Sequence, residues 1–148
     1  MRSIFTIALA LVLVIAFSLY LKAFFAPPPP ILQVEDVSLN PNTINIDQIA
    51  SISITIKSND NSKSHFLRIE FESHVLVSFL LGDVNLPQEN GKWYFTRTVN
   101  PSEKFTQPFN VRASLESGIA QLIYYISIKF YVDGNQFDSR TLELTVRR

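Results

Sequence analysis

The chain of 148 residues contains no cysteine, and this absence narrows its possible chemistry. Without thiols it can form neither a disulfide nor a thiolate zinc site, and it has no cysteine nucleophile. Its stability must therefore come from packing. Glycine is also scarce, with four residues in the whole chain, and no glycine-rich loop of the kind that cradles phosphate groups is present.

An excess of charge of one sign is also lacking, since 13 basic side chains are matched by 13 acidic ones. When Arg2 and Lys22, which flank an apolar run, are set aside, 11 basic and 13 acidic side chains leave a net charge of −2. The lysines and arginines are scattered singly and form no basic stripe. This distribution argues against a nucleic-acid partner.

No group of residues in the sequence indicates catalysis, a cofactor or a small-molecule substrate. None of the serines lies in a Gly-x-Ser-x-Gly motif. Glu70 and Glu72 are two residues apart on a predicted strand and share one face, but Arg68 and His74 share that face too. This pattern describes a solvated strand surface, so we predict no catalytic residue and no enzyme.

Two groups of residues offer ligands to a metal ion. The two histidines, His65 and His74, are nine residues apart, and no HExxH pattern accompanies them. The turn residues Asn59, Asp60 and Asn61 offer oxygen ligands to calcium, but they lack the glycine and terminal glutamate of a full calcium loop. We therefore predict no metal site, a surface position for His74 and a plain polar turn at 59–61.

What the sequence does contain is an uncharged apolar run at residues 4–21, followed by Lys22 and by four consecutive prolines at 27–30. Eighteen helical residues rise about 27 Å, close to the roughly 30 Å of a bilayer's hydrocarbon core. We predict an N-terminal transmembrane anchor at 1–26, which would contact membrane lipid. A polyproline spacer at 27–30, about 12 Å long, and one domain at 31–148 follow it.

Charges on either side of the apolar run suggest its orientation. Arg2 before the run and a single Lys22 after it favour a cytoplasmic amino terminus and an extracytoplasmic domain. A cleaved secretory signal is the alternative, but a bulky residue stands two places before each candidate cleavage alanine. We therefore expect a single-pass protein of the cell membrane.

Alternation of apolar and polar residues with a period of two dominates the domain. It is clearest at Ile52, Ile54 and Ile56, and it returns from Leu67 and continues in phase to Leu81, as one long strand or two short ones. Long apolar runs of helical period are absent after residue 31. We predict an all-β fold, an immunoglobulin-like antiparallel β-sandwich of seven or eight strands preceded by one N-terminal transmembrane helix.

The expected strand order also assigns the turns to the two ends of the sandwich. Asp133-Gly134 is a strong hairpin signal. With seven antiparallel strands, the first and last strands run parallel, so the chain enters at one pole and ends at the other. The turns at 58–65 and 133–135 would then lie at the spacer pole, and those at 40–48 and 116–118 at the far pole. An eighth strand would reverse this assignment.

Two stretches of the domain share the pattern of a known surface module. In residues 37–44 and 49–60, a proline start leads into an alternating strand and a polar turn, and residues 115–118 and 126–134 suggest a closing hairpin. These stretches resemble the CARDB-like and related immunoglobulin-like modules common on archaeal cell surfaces. Ala120 replaces the tyrosine that usually follows the corner glycine. The resemblance implies an outward-facing β-sandwich.

The run at 125–132 suggests a surface for a protein partner. If its apolar residues Ile126, Ile128, Phe130 and Val132 point inward, the outer face carries aromatic and basic side chains typical of interfaces. The possible partner patch consists of Tyr125, Lys129 and Tyr131. Alternatively, each tyrosine ring packs on its own sheet.

Three functions remain open from the sequence. The first is a membrane-anchored, extracytoplasmic binding or assembly module, an accessory subunit of a membrane or cell-surface protein complex. The second is a structural protein that resembles pilin-like and archaellum-associated proteins, although the prolines end the helix that a filament core needs. The third is a secreted β-sandwich domain left after signal cleavage.

Overall fold

The computed structural model describes residues 12–18 and 28–148. Residues 12–18 are α-helical and exposed. Within the described residues, no helical segment has both the length and the apolar character needed to span a bilayer. Most of the predicted anchor at 1–26, and Pro27 of the predicted spacer, lie outside the described residues.

Eleven β-strands form within the described residues, and eight of them have five residues or more. They are β1 (Leu32–Asn40), β2 (Thr43–Asn45), β3 (Ile49–Ser58), β4 (His65–Glu72), β5 (Val77–Leu81), β6 (Val84–Asn85), β7 (Gln88–Glu89), β8 (Lys92–Val99), β9 (Lys104–Ala113), β10 (Gln121–Val132) and β11 (Asn135–Arg147). The eight longer strands agree with the predicted number, and the three short ones lie at sheet edges.

The strands form two sheets that pack face to face. Sheet A has the order β1-β3-β9-β5-β6, and sheet B has the order β2-β11-β10-β4-β8-β7. Every pair is antiparallel except β2 with β11, which is parallel. The all-β sandwich predicted from the alternation is therefore confirmed.

The core between the sheets is centred on aromatic rings. Phe71 of sheet B stacks on Phe79 of sheet A, with ring centroids 5.0 Å apart, and meets Phe109 edge-on at 4.9 Å. Trp93 and Phe95 of β8 are half-buried and contact Phe79 and Phe109 respectively. Each ring lies on the inward side of a strand because side chains alternate between the two faces.

The alternating run from Leu67 to Leu81 is two strands rather than one. β4 ends at Glu72, β5 begins at Val77, and the two strands belong to different sheets. Val75, which is in phase with the apolar set, lies in the connection between them and is 91 % exposed. The sequence pattern conceals this crossover because the connection preserves the period of two.

The turns lie at the poles expected for seven strands, although eight long strands form, because β5 and β8 run in the same direction. The Asn59 N–H donates to the Ile31 carbonyl at 2.9 Å, which places the turn after β3 beside the spacer. Asp133 and Gly134 form the two-residue loop between β10 and β11 at the same pole, with positive φ values of 48° and 86°. At the far pole, the Arg148 N–H donates to the Ala120 carbonyl.

We expect Phe71→Ala to lower the free energy of unfolding by about 3–5 kcal/mol, because it leaves a cavity between Phe79 and Phe109. Urea denaturation of the full chain, followed by the fluorescence of its single tryptophan, measures this loss. The matched control is Phe66→Ala on the same strand, whose side chain is 50 % exposed and should change stability by less than about 1 kcal/mol. Equal losses in the two variants would contradict this description of the core.

Candidate functional site

The outer face of sheet B carries the three side chains of the predicted partner patch. Tyr125, Lys129 and Tyr131 all point away from the core, on the side of β10 opposite its buried residues. Tyr125 is 61 % exposed and lies near exposed Ile123, whereas Lys129 and Tyr131 are half-buried. The patch therefore has one open aromatic end and one end that packs on the sheet.

A network of charged side chains surrounds that packed end. Arg68 donates to Glu70 at 3.0 Å and to Glu89 at 2.9 Å, and its guanidinium lies 4.6 Å from the centre of the Tyr94 ring. Burial raises the pKa of the Tyr131 hydroxyl, and the nearby Glu70 carboxylate raises it further. The opposite charges of these side chains pair across neighbouring strands, as is common on the solvent-exposed face of a sheet.

His74 does not lie on that face. It follows the end of β4, and its ring is 5.5 Å from the Tyr124 ring, while its Nδ1 accepts a hydrogen bond from the Leu76 N–H. His74 is exposed, as predicted, but its expected alignment with Arg68 and Glu70 was wrong because the strand ends at Glu72.

An apolar groove opens where the edges of the two sheets separate. It has a volume of about 330 Å³ and lies between the β5–β6 hairpin and β8. We call it the edge groove. Val84 at its rim is 72 % exposed and Leu81 is 39 % exposed. Its lining residues are Leu81, Val84, Asn85, Leu86, Pro87, Tyr94, Phe95 and Thr96.

The strand edge beside this groove is only partly paired. β7 covers β8 at Lys92 and Trp93, and the Tyr94 N–H donates to the Pro87 carbonyl at 3.0 Å. Backbone groups of an antiparallel strand alternate in direction, so those of Thr96 and Thr98 point to the same side as those of Tyr94. No described strand pairs with them there. They form a free edge next to the edge groove.

Below Thr96, the space between the sheets is filled by Arg97. Its guanidinium lies 4.0 Å from the centre of the Phe105 ring on the opposite sheet, and it pairs with Glu103. The apolar opening therefore ends near Phe95 instead of continuing along the whole strand.

The spacer pole contains a buried histidine between two carboxylates. His65 is 8 % exposed, its Nδ1 is 2.6 Å from Asp133 Oδ2, and its Nε2 is 2.8 Å from Asp60 Oδ2. We call these three residues the His65 clamp. Both ring nitrogens can donate only when the imidazole is protonated, so this geometry fits an imidazolium between two ionised aspartates.

Each member of the clamp shifts the ionisation of its neighbours. Hydrogen bonds to Asp133 and Asp60 raise the pKa of His65 above its ordinary value of 6.5. The His65 ring, with the N–H groups of Ser62 and Lys63, holds the pKa of Asp60 well below its usual range. The ring and the Phe66 N–H also lower the pKa of Asp133.

The turn at 59–61 uses its oxygens within the protein. Asp60 Oδ1 accepts from the N–H and hydroxyl of Ser62 at 2.7 and 2.8 Å, and Asn61 Oδ1 accepts from the Ser102 hydroxyl. Asn59 donates its side-chain N–H to the Pro30 carbonyl at 3.0 Å. Through these contacts, the polar turn at 59–61 connects the spacer with the β8–β9 turn.

Sequence reasoning missed the clamp and the edge groove. His65 begins a strand, and its partner Asp133 is 68 residues away, so no local spacing marks the pair. A signal was nevertheless present, because the predicted topology already placed the 58–65 and 133–135 turns at one pole. The histidine and the two aspartates of those two turns could therefore have been predicted to lie close together.

No protein-family model matches the chain, and no curated protein matches it. Among solved structures, it is similar to the alkylpurine DNA glycosylase AlkC of Pseudomonas fluorescens bound to DNA containing an abasic site analog. The identity is 11 % and the TM-score 0.47, over 80 % of this chain and 31 % of that one.

A second solved structure to which the chain is similar is the periplasmic chaperone SfaE. The identity is 9 % and the TM-score 0.39, over 76 % of this chain and 56 % of that one. The chain thus spans about a third and about half of the two solved chains. With both TM-scores below 0.5, neither likeness assigns the chain a function.

We expect the free energy of unfolding to be highest between about pH 4 and pH 6.5. Above pH 6.5 the unfolded chain loses the His65 proton before the folded one, so stability falls by up to about 1.4 kcal/mol per pH unit until the folded pKa is passed. Below the ordinary aspartate pKa of 3.8, the unfolded carboxylates take up protons first, and stability falls as pH falls.

Urea unfolding of the full chain over this pH range measures the effect. In His65→Gln the decline above pH 6.5 should disappear, since the titrating ring is gone. His74→Gln is the matched control and should keep the decline. A profile that His65→Gln leaves unchanged would show that the clamp does not contribute to pH-dependent stability.

Proposed function

We propose that this protein is a membrane-tethered, extracytoplasmic binding module that takes up an extended segment of a partner protein in the edge groove. The observation that carries the proposal is the coincidence of an apolar opening with the unpaired backbone of Thr96 and Thr98. An extended peptide supplies both requirements at once, since its backbone can pair with the edge while alternate side chains enter the groove.

The composition of the groove narrows the occupant to a strand with apolar residues at alternate positions. Leu81, Leu86 and Phe95 line the opening, and its volume of about 330 Å³ suits one or two large side chains. A second copy of this chain fits less well. The inward-pointing Arg97 at the next position is a feature that natural edge strands use against open-ended sheet pairing.

An immunoglobulin-like sandwich, with the CARDB-like resemblance of the sequence, is part of the proposal. Strand order supports it, since β1-β3-β9-β5 and β11-β10-β4-β8 correspond to the two sheets of such domains. The order along the chain differs at one point, because β5 joins sheet A before β8 joins sheet B. In variable immunoglobulin domains, the strand at the position of β8 precedes the strand at the position of β5 along the chain.

The tether is supported by the apolar run at residues 4–21, which carries no charge. Its described residues 12–18 are helical, and side chains such as Val14 and Phe17 are more than 60 % exposed. The run precedes a proline spacer, which suits a domain that stands away from lipid. The predicted orientation places the sandwich outside the cell.

The binding proposal can be tested by crosslinking from single cysteines, because the native chain has none. A photoactivatable crosslinker on Val84→Cys at the groove rim should capture one polypeptide in stoichiometric yield from native membranes. Adding Thr96→Pro should abolish the capture, since proline removes the edge N–H that an incoming strand needs.

The matched control places the crosslinker on Tyr125→Cys, at the open end of the predicted partner patch. Capture from Tyr125→Cys that Thr96→Pro does not affect, without capture from Val84→Cys, would move the binding surface to the outer face of sheet B. Capture from neither position would exclude a stable protein partner at both surfaces.

The tether has its own test. We expect the full chain to remain with membranes after a carbonate wash, because burying an apolar run of 18 residues in lipid holds it without charge contacts. A variant that lacks residues 1–26 should be released from the membranes into the carbonate wash. Release of the full chain, or a mature amino terminus near residue 31, would favour the secreted alternative, whereas a mature start at Ile4 would favour the pilin-like one.

A further inference from the structure

The His65 clamp joins segments that are distant in sequence. Asp60 belongs to the loop after β3, His65 begins β4, and Asp133 lies in the β10–β11 turn. The loop that carries Asp60 also contacts the chain as it leaves the spacer. The Asn59 N–H donates to the Ile31 carbonyl at 2.9 Å, and the Asn59 side chain donates to the Pro30 carbonyl at 3.0 Å.

A cleft of about 340 Å³ separates the same two segments, lined by Pro28, Pro29, Pro30, Ile31, Asn59, Asp60 and Asn61. Only Asn59 crosses it with hydrogen bonds to the spacer among the described residues. The position of the spacer against the sandwich therefore depends on where the 59–64 loop lies.

We propose that the His65 clamp is a proton-dependent device that fixes the proline spacer to the pole of the sandwich while His65 is protonated and releases it when His65 is neutral. This inference does not depend on the edge groove or on any partner protein. It rests on the two short contacts of one buried ring and on the contacts of Asn59 with the spacer.

Loss of the His65 proton leaves the clamp with one donor too few. A neutral imidazole has one N–H, so one of its nitrogens must then face a carboxylate with a lone pair at 2.6 or 2.8 Å. Repulsion at that distance displaces one aspartate. Hydrogen bonds to both aspartates also favour the proton on His65, so release occurs above its ordinary pKa of 6.5.

The aspartate that moves is Asp60 rather than Asp133. Asp133 lies in a two-residue loop between two strands of 12 and 13 residues, and its Oδ1 accepts from the Phe66 N–H. Asp60 lies in a loop without strand pairing, most of which is exposed, and among the described residues its Oδ1 accepts hydrogen bonds only from Ser62 and Lys63 of the same loop. One backbone hydrogen bond, from the Ser102 N–H to the Asp60 carbonyl at 2.8 Å, joins Asp60 to the β8–β9 turn. Displacement of Asp60 carries Asn59 with it and breaks the contacts with Pro30 and Ile31.

The remaining groups around His65 do not compete with this assignment. β8 opposes His65 with Val99, which does not ionise. In the adjoining segments, Lys63 approaches Asp60 through its backbone N–H, and Glu103 is engaged by Arg97 and by the Asn100 N–H. On the facing sheet, Lys104 pairs with Glu35 at 2.6 Å.

The test measures the distance between the spacer and the sandwich in the full chain. Nitroxide labels at Pro28→Cys and Thr141→Cys in detergent micelles give this distance by double electron–electron resonance. We expect a narrow distribution at about pH 5.5 and loss of the narrow peak as the pH rises, with a midpoint that matches the His65 titration followed by NMR. A narrow peak that persists after His65 has lost its proton would overturn the proposal, and so would a ring that stays protonated to about pH 10.

Two substitutions separate a proton-dependent device from a merely structural contact. His65→Gln should give the broad distribution at every pH, whereas His74→Gln should behave as the native chain. Asp133→Asn should remove the response. Its amide can accept from the Phe66 N–H and donate to Nδ1 of a neutral ring, so that the Nε2–H faces Asp60 whether the ring is neutral or protonated. The narrow peak should then persist at high pH, and loss of the peak at high pH in Asp133→Asn as in the native chain would refute the mechanism.

Discussion

The contact on which the rest of the structure depends is that of Phe71 with the opposite sheet. Its ring lies between Phe79 and Phe109, and through them it reaches Trp93 and Phe95. A chain without cysteine has no covalent bond to keep two sheets together, so their association rests on buried apolar area. Because interiors pack as densely as crystals, this core also sets the distance between the sheets.

That distance has different consequences at the edges and at the poles. Where β5 and β8 part, apolar side chains at the margin lack a facing partner, and the edge groove results. At the spacer pole, the gap between the turns is closed by the His65 ring and two carboxylates instead of apolar residues. The core is therefore apolar throughout, whereas the edges and poles of the sandwich also contain polar and charged groups. The candidate functional sites lie at these edges and poles.

Local pattern predicted much of this fold. Alternation located β3 and the start of β4 to within a few residues, and turn signals placed two turns at the spacer pole. It could not tell that β4 and β5 lie in different sheets, since a crossover of even length keeps the phase. Nor could it detect the burial of His65, which depends on Asp133 across the fold. Such features depend on tertiary contacts, which an alternation of apolar and polar residues does not reveal.

Arg97 explains why one free edge need not lead to aggregation. It points inward from the unpaired part of β8, covers the Phe105 ring and pairs with Glu103. A strand that extended along the whole edge would have to desolvate or displace this ion pair, which costs more than a backbone hydrogen bond returns. A strand that pairs with Thr96 and Thr98 and places its side chains only in the edge groove meets a mainly apolar lining and free backbone groups. The same arginine thus sets the length of segment that the groove can accept and opposes pairing with a second sheet.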